Sequence, residues 1–358
     1  MNPLVITATG ACTPLGTRAW QTACALAAHQ SAFTRLQMPD HIDHLATVSQ
    51  VSAIPADQSG TDRLLQLAAP ALLETLRASP ALWPLQRPVM LFVALPQPWP
   101  ELSQHFDADR FQLELPRALD LAGEYLPMRI FEGGAAAGAD ALVAAYRFMH
   151  ANPAVDQVLV GGVDSLCDLP VARLFYQRGW LKVKRHTDGF IGSEGAAFVR
   201  LSRRPAAEEF VTVYPPAFGK EGRARVGLED LLNGAGLIDA AEGALKASSM
   251  PVNALHAYWC DLDGSAWRGS EAASLSAALA KRGGLPPVRD PAAALGQVGA
   301  AWAPLLLSLF HEMRQLGHHP LMPQSIAGHT ALQSVTGLDE RIAAWVCTWS
   351  SAPGRHTR

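Results

Sequence analysis

The sequence predicts an α/β protein built on a largely parallel sheet. Short apolar or β-branched runs alternate with longer stretches of helical periodicity, the signature of βαβ units. At 358 residues, 49% hydrophobic and 17% charged, the chain also has the length and apolar content for an extensive core. The first strand is read at Leu4–Thr9, from the β-branched LVITAT, and a helix at Arg18–Ala28 follows it. The long amphipathic run Asp62–Ala78 is the second helix, and the uninterrupted apolar run Val89–Ala94 a buried strand. Met128–Glu132 leads into the alanine-rich helix Ala136–Met149, then the strands Gln157–Gly161 and Ala197–Leu201. The polar stretch Ser202–Glu209, SRRPAAEE, reads as a joint between two halves. Beyond it lie strands at Val211–Tyr214, Leu255–Asp261 and Ile342–Trp349, with helices at Leu228–Leu245, Ser270–Lys281 and Leu295–Leu316. Leu95–Leu102 and Tyr214–Gly222, rich in proline and aromatics, read as ordered loops.

Lys and Arg total 29 against 32 Asp and Glu, a formal charge of −3, so nothing suits the chain to gripping a phosphate backbone and no nucleic-acid partner is expected. The five cysteines are scattered without a CxxC pair, which predicts neither a disulfide framework nor a zinc site and fits a reducing cytoplasm. The N-terminal run MNPLVITATG lacks the pattern of a secretory signal. Pro291–Phe310 is free of charge and long enough to span a bilayer by count alone, but its two prolines, its glycines and Gln297 favour a buried helix, so no membrane span is expected.

Three strings carry candidate chemistry. Met128–Leu142 runs from a strand through Gly133 and Gly134 into a helix, whose N-terminus offers backbone N–H groups to an anion or a thiolate. Close packing of helix on sheet is the plainer reading. The glycine spacing does not fit a dinucleotide fingerprint, and Asp156 precedes its strand, so no cofactor is expected. Val158–Ser165, VLVGGVDS, is a strand ending in a glycine turn. Thr187–Ala196, TDGFIGSEGA, places Asp188 and Glu194 in glycine turns, where carboxylates tie backbone N–H groups together or orient a reacting group.

Together with the opening VITATGACTPLG, these strings in this order resemble the β-ketoacyl-acyl-carrier-protein synthases, the condensing enzymes of the thiolase-like family. The resemblance spans the whole chain. It implies a five-layered αβαβα fold of two similar halves, 1–205 and 206–358, paired across a two-fold axis. Carried over residue by residue, it puts Ala135 where the family's nucleophilic cysteine stands. In DLDGSAWRGSE, Asp263 takes the place of the first catalytic histidine. In VRDPAAALGQVGA, Ala293 takes that of the second and Val288 that of the lysine. The family's C-terminal glycine loop is unrecognisable in Cys347–Gly354. His41, His44, His311, His318, His319 and His329 show no metal-ligand spacing, so no metal is expected, and no GxSxG elbow supports a serine hydrolase.

Condensation needs a thiolate to carry the acyl chain and imidazoles to stabilise the enolate, and alanine supplies neither. The pattern resembles the chain-length-factor subunits of type II polyketide systems and similar degenerate partners in aryl polyene pathways. It implies a catalytically silent subunit that forms a heterodimer with an active ketosynthase and works on an acyl carrier protein. Two alternatives remain. One is an acyltransferase or decarboxylase using an altered pocket at Gly133, Gly134 and Glu194, with Asp263 for proton transfer. The other is a module that binds an acyl carrier or a lipid.

Overall fold

The opening run LVITATGAC forms β1 (Leu4–Cys12), which lies at the middle of the sheet, not at its edge. The computed structural model describes residues 1–38, 45–78, 89–103, 105–119, 126–184, 187–221, 234–317 and 329–351. After β1 come α1 (Ala19–Ala27), the hairpin β2 (Phe33–Gln37) and β3 (Leu45–Ser49), and α2 (Gly60–Arg77). β4 (Leu91–Leu95), α3 (Ala108–Ala118), β5 (Met128–Glu132) and α4 (Ala135–Ala151) follow. β6 (Gln157–Ser165), α5 (Leu169–Gln177) and β7 (Gly192–Ser202) close the first half. The second half has β8 (Glu209–Val213), β9 (Ala217–Lys220), α6 (Ala235–Ser248), β10 (Ala257–Cys260) and α7 (Ala266–Leu279). It ends with β11 (Val288–Arg289), α8 (Ala292–Leu295), α9 (Trp302–Leu316), β12 (Thr330–Thr336) and β13 (Arg341–Ser351).

The strand order is β11-β10-β12-β13-β8-β1-β7-β6-β4-β5, and it reads alike from the centre outward in both directions. At the centre β1 and β8 pair antiparallel through Leu4–Val213, Val5–Thr212 and Ile6–Val211. On each side the next two pairings are antiparallel and the outermost two are parallel. The sheet is therefore mixed rather than largely parallel, because β7 and β13 each run opposite to both of their neighbours.

Alternating side chains divide the core into layers. Ala197, Val199 and Leu201 of β7 and Trp345 and Cys347 of β13 share one cluster with Leu142 and Tyr146 of α4 and Leu306 and Phe310 of α9. The intervening Ala196 and Phe198 face Leu64, Leu72 and Phe111 of α2 and α3, whereas Ala344 and Val346 face Leu237, Leu245 and Leu275 of α6 and α7. Helices thus lie outside the sheet, between its two halves and outside again, in the five-layered αβαβα arrangement. Strands buried on both faces explain the high apolar content.

The expected helix Leu295–Leu316 is broken. α8 ends at Gly296, whose φ of 78° favours glycine, and Gln297 then bonds to the start of β7, its N–H to Ile191 O at 2.8 Å and its carbonyl to Ser193 N at 3.0 Å. The uncharged run is core: Trp302, Leu305, Leu306 and Phe310 are fully buried. Among the described residues no helix is long and apolar enough to cross a membrane. Of the expected helix Leu228–Leu245, residues 228–233 lie outside the described residues. The predicted helix Ser270–Lys281 begins earlier, at Ala266, because Ser265 caps it by accepting from Arg268 N.

Candidate functional site

Ala135 is the first residue of α4 and is 5% exposed at the wall of a partly open cleft. Gly134 precedes it at φ 62°, which turns the chain from β5 into the helix. The opposite wall is the loop after β4, with Gln97, Trp99 and His105; the floor includes Asp164 and Ser165 at the end of β6, and Gln297. Gly162 lets β6 approach this floor, since a Cβ there would lie 2.1 Å from Ala300 O.

The neighbouring glycines donate elsewhere. The N–H groups of Gly133 and Gly134 reach Leu95 O at 3.4 and 3.2 Å, so neither is free to stabilise an oxyanion. Beside them Arg341 of β13 bonds Asp140 of α4 at 2.6 Å and tethers the helix to the second half of the sheet.

Glu194 does not face the cleft. Fully buried, it accepts from Arg63 Nε at 2.5 Å and Nη2 at 2.7 Å, Val51 N at 2.8 Å and Ser165 Oγ at 2.8 Å. It positions Ser165 and the start of α2 and leaves no oxygen for a substrate. Asp263 serves the α7 cap, accepting from Ser265 N at 3.0 Å and Ser265 Oγ at 2.6 Å, and is not among the cleft's lining residues. Ala293 is exposed on α8 and also lies off the cleft, whereas Gln297, four residues on, lines it. The Gly296 turn aims Gln297 inward, where its Oε1 accepts from Trp302 Nε1 and from Gly299 N at 3.3 Å.

The structure shows what surrounds Asp164 of the VLVGGVDS string and adds His105 and Arg268, which no local pattern marked. Asp164 accepts from Ala300 N and Ser165 N, both at 2.9 Å, and burial pushes its carboxyl up to about 7 despite those bonds. His105 Nε2 lies 2.9 Å from Asp168 Oδ2, which also accepts from Gly60 N at 2.8 Å. His105 falls in a loop and its partner is far along the chain, so only the fold brings them together. From the second half, Arg268 bridges Asp261, Glu271 and Thr336 Oγ1, and Thr336 lines the cleft.

Cys167 is buried beneath the site and burial pushes its thiol well up, which is the opposite of an activated nucleophile. His311 is half-buried against Trp349, with its pKa pushed down to about 4 by desolvation, and His329 lies beside His256. His41, His44, His318, His319 and residues 352–354 of the C-terminal loop lie outside the described residues. Among the described residues no cluster of three or more His, Cys, Asp or Glu is arranged to hold a metal ion.

No protein-family model and no curated protein matches the sequence. Solved structures do. The chain superposes with a TM-score of 0.75 on one described as a type II polyketide synthase acyl-carrier protein in complex with its ketosynthase bound to the hexaketide, at 14% identity over 98% of this chain and 99% of that one. The chain has the ketosynthase fold. A ketosynthase in complex with its chain length factor from Xenorhabdus doucetiae aligns at TM-score 0.72 and 14% identity, over 97% of this chain and 98% of that one. The ishigamide ketosynthase/chain length factor aligns at 0.68 and 17%, over 98% and 100%. Within this ketosynthase fold, the first position of α4 carries a methyl group.

Proposed function

We propose that the chain is a catalytically silent ketosynthase-fold subunit. It forms a heterodimer with an active ketosynthase and influences polyketide, aryl polyene or fatty-acyl elongation on an acyl carrier protein in the cytoplasm. Ala135 carries this reading: it stands in the cleft at the head of α4, where the family resemblance puts the nucleophilic cysteine, and no cysteine is among the cleft's lining residues. The symmetric strand order supports two similar halves divided between residues 205 and 206. For the second catalytic histidine we take Gln297 as the counterpart in place of Ala293, because it follows Gly296 as the histidine follows glycine in the KxxxGH pattern and because it lines the cleft. Asp263 remains the counterpart of the first.

Pairing is supported by β5, the last strand of the sheet order, whose outer edge has no partner strand among the described residues. Such an edge is a template for another chain. Two chains related by a two-fold through this edge would continue the sheet, with Ile130 and Phe131 at its centre.

Co-expression with the ketosynthase encoded beside it, followed by affinity purification and size determination, tests the proposal. A stable one-to-one complex is expected, with condensation lost when the partner's cysteine is replaced. A monomer or homodimer with no affinity for that ketosynthase overturns pairing. Decarboxylation of malonyl-acyl carrier protein by the chain alone overturns silence.

A further inference from the structure

The charges of the cleft oppose those an anionic ligand would require. Its walls are apolar, formed in part by Leu64, Trp99, Leu102, Phe106 and Leu338. Two of its polar groups are carboxylates, Asp164 and Asp168, and a third is the Gln97 side-chain oxygen, which is buried without a hydrogen-bond partner. No lysine or arginine is among the lining residues. His105 is there, but its Nε2 is committed to Asp168. The amide N–H groups of Gln97 and Gln297 are donors without charge.

An anion entering this space would give up water beside two carboxylates and meet no lysine or arginine, a cost at low local dielectric that the N-terminus of α4 at Ala135 offsets only in part. A ligand N–H or O–H would instead satisfy the orphaned Gln97 oxygen, a group that costs about 1–3 kcal/mol while unpaired.

We propose that the cleft binds an apolar small molecule whose polar end donates hydrogen bonds and carries no negative charge, of the primary alkylamide or alkanol class. This rests on the lining of the cleft alone and does not require a partner subunit. Because burial holds the Asp164 carboxyl near 7, the discrimination is fully expressed above that pH, where the group is ionised.

Calorimetric titration of the full chain at pH 8 with octanamide, octanol and octanoate tests it. The amide and alcohol should bind at least about tenfold tighter than the carboxylate, a difference of about 1.4 kcal/mol. Asp164→Asn should narrow that gap by strengthening octanoate, and Ala135→Trp should abolish binding by filling the cleft. Octanoate binding as tightly as octanamide, no binding of any probe at about 1 mM, or unchanged binding by a folded Ala135→Trp variant would each overturn the proposal. The comparison of three ligands on the wild type stands even if a variant fails to fold. Failure here leaves the pairing proposal intact, and failure of pairing leaves this ordering intact.

Discussion

Replacing Asp164 with asparagine, and following stability against pH, tests the account of the cleft floor. Burial pushes this carboxyl from 3.8 to about 7 while Ala300 N and Ser165 N pull it down. A carboxyl whose pKa is higher in the folded than in the unfolded chain binds its proton more tightly in the native state. Its stabilising contribution is therefore full below about pH 4 and is lost as pH rises through about 7. Between pH 5 and pH 8 the unfolded group is ionised throughout, and the native group holds its proton until near 7. At about 1.4 kcal/mol per pH unit, wild type should lose about 3 kcal/mol from this group over that interval. Asparagine has no such dependence, but it sets its NH2, a donor, against a backbone N–H where a carboxylate oxygen had accepted, at a cost of about 1–3 kcal/mol. The variant should therefore be the less stable protein at pH 5 and should equal or exceed wild type at pH 8. Urea denaturation of both proteins at four pH values measures the difference directly. Subtracting the two curves removes Glu271 and Asp290, which burial also pushes up to about 7. A difference constant to within about 0.5 kcal/mol across the range would refute the reasoning.

Glu194→Gln should lower stability by about 3–5 kcal/mol in urea denaturation, because it strands the buried Arg63 guanidinium; a loss under about 1 kcal/mol would show that Arg63 has another counter-charge. Gly162→Ala should cost about 1–3 kcal/mol or more, since its Cβ would meet Ala300 O at 2.1 Å, and an unchanged melting temperature would contradict the close approach of β6 to the cleft floor. Ala135→Cys should create a thiol that a maleimide labels faster than Cys12, Cys167, Cys260 or Cys347, all buried, because it opens onto the cleft at a helix N-terminus. Labelling only after unfolding would place position 135 away from the cleft.

The glycine strings made the site legible because glycine is needed where backbones approach closely, and that need is written in sequence. Gly162 against Ala300 and Gly134 at the head of α4 are both of this kind. β12 was not legible: TALQSVT carries Gln333 and Ser334 in a fully buried strand. Gln333 is satisfied by donating to Leu306 O at 3.1 Å and accepting from Trp345 Nε1 at 2.7 Å, bonds that hydropathy does not register. α3 escaped for the opposite reason, since only Phe111 and Leu115 of its residues are buried. The shift from Ala293 to Gln297 that we propose has a similar origin. Small residues anchor an alignment there weakly, and the Gly296 turn decides which side chain points inward.

The two halves back the cleft in parallel ways. From the first, Arg63 and Glu194 hold Ser165; from the second, Arg268, Asp261 and Glu271 hold Thr336. Buried ion pairs of this sort add little net stability over apolar packing, yet losing either partner strands a charge at a cost of about 3–5 kcal/mol. Their effect is to hold each wall of the cleft in one arrangement. That rigidity is separable from chemistry, because none of these groups presents a nucleophile or a free base to the space they enclose. On the proposed reading, a chain that keeps both supports and carries alanine at the head of α4 would retain the shape of the cleft without an atom that bonds to substrate. Shape is what a ligand or a neighbouring subunit can recognise.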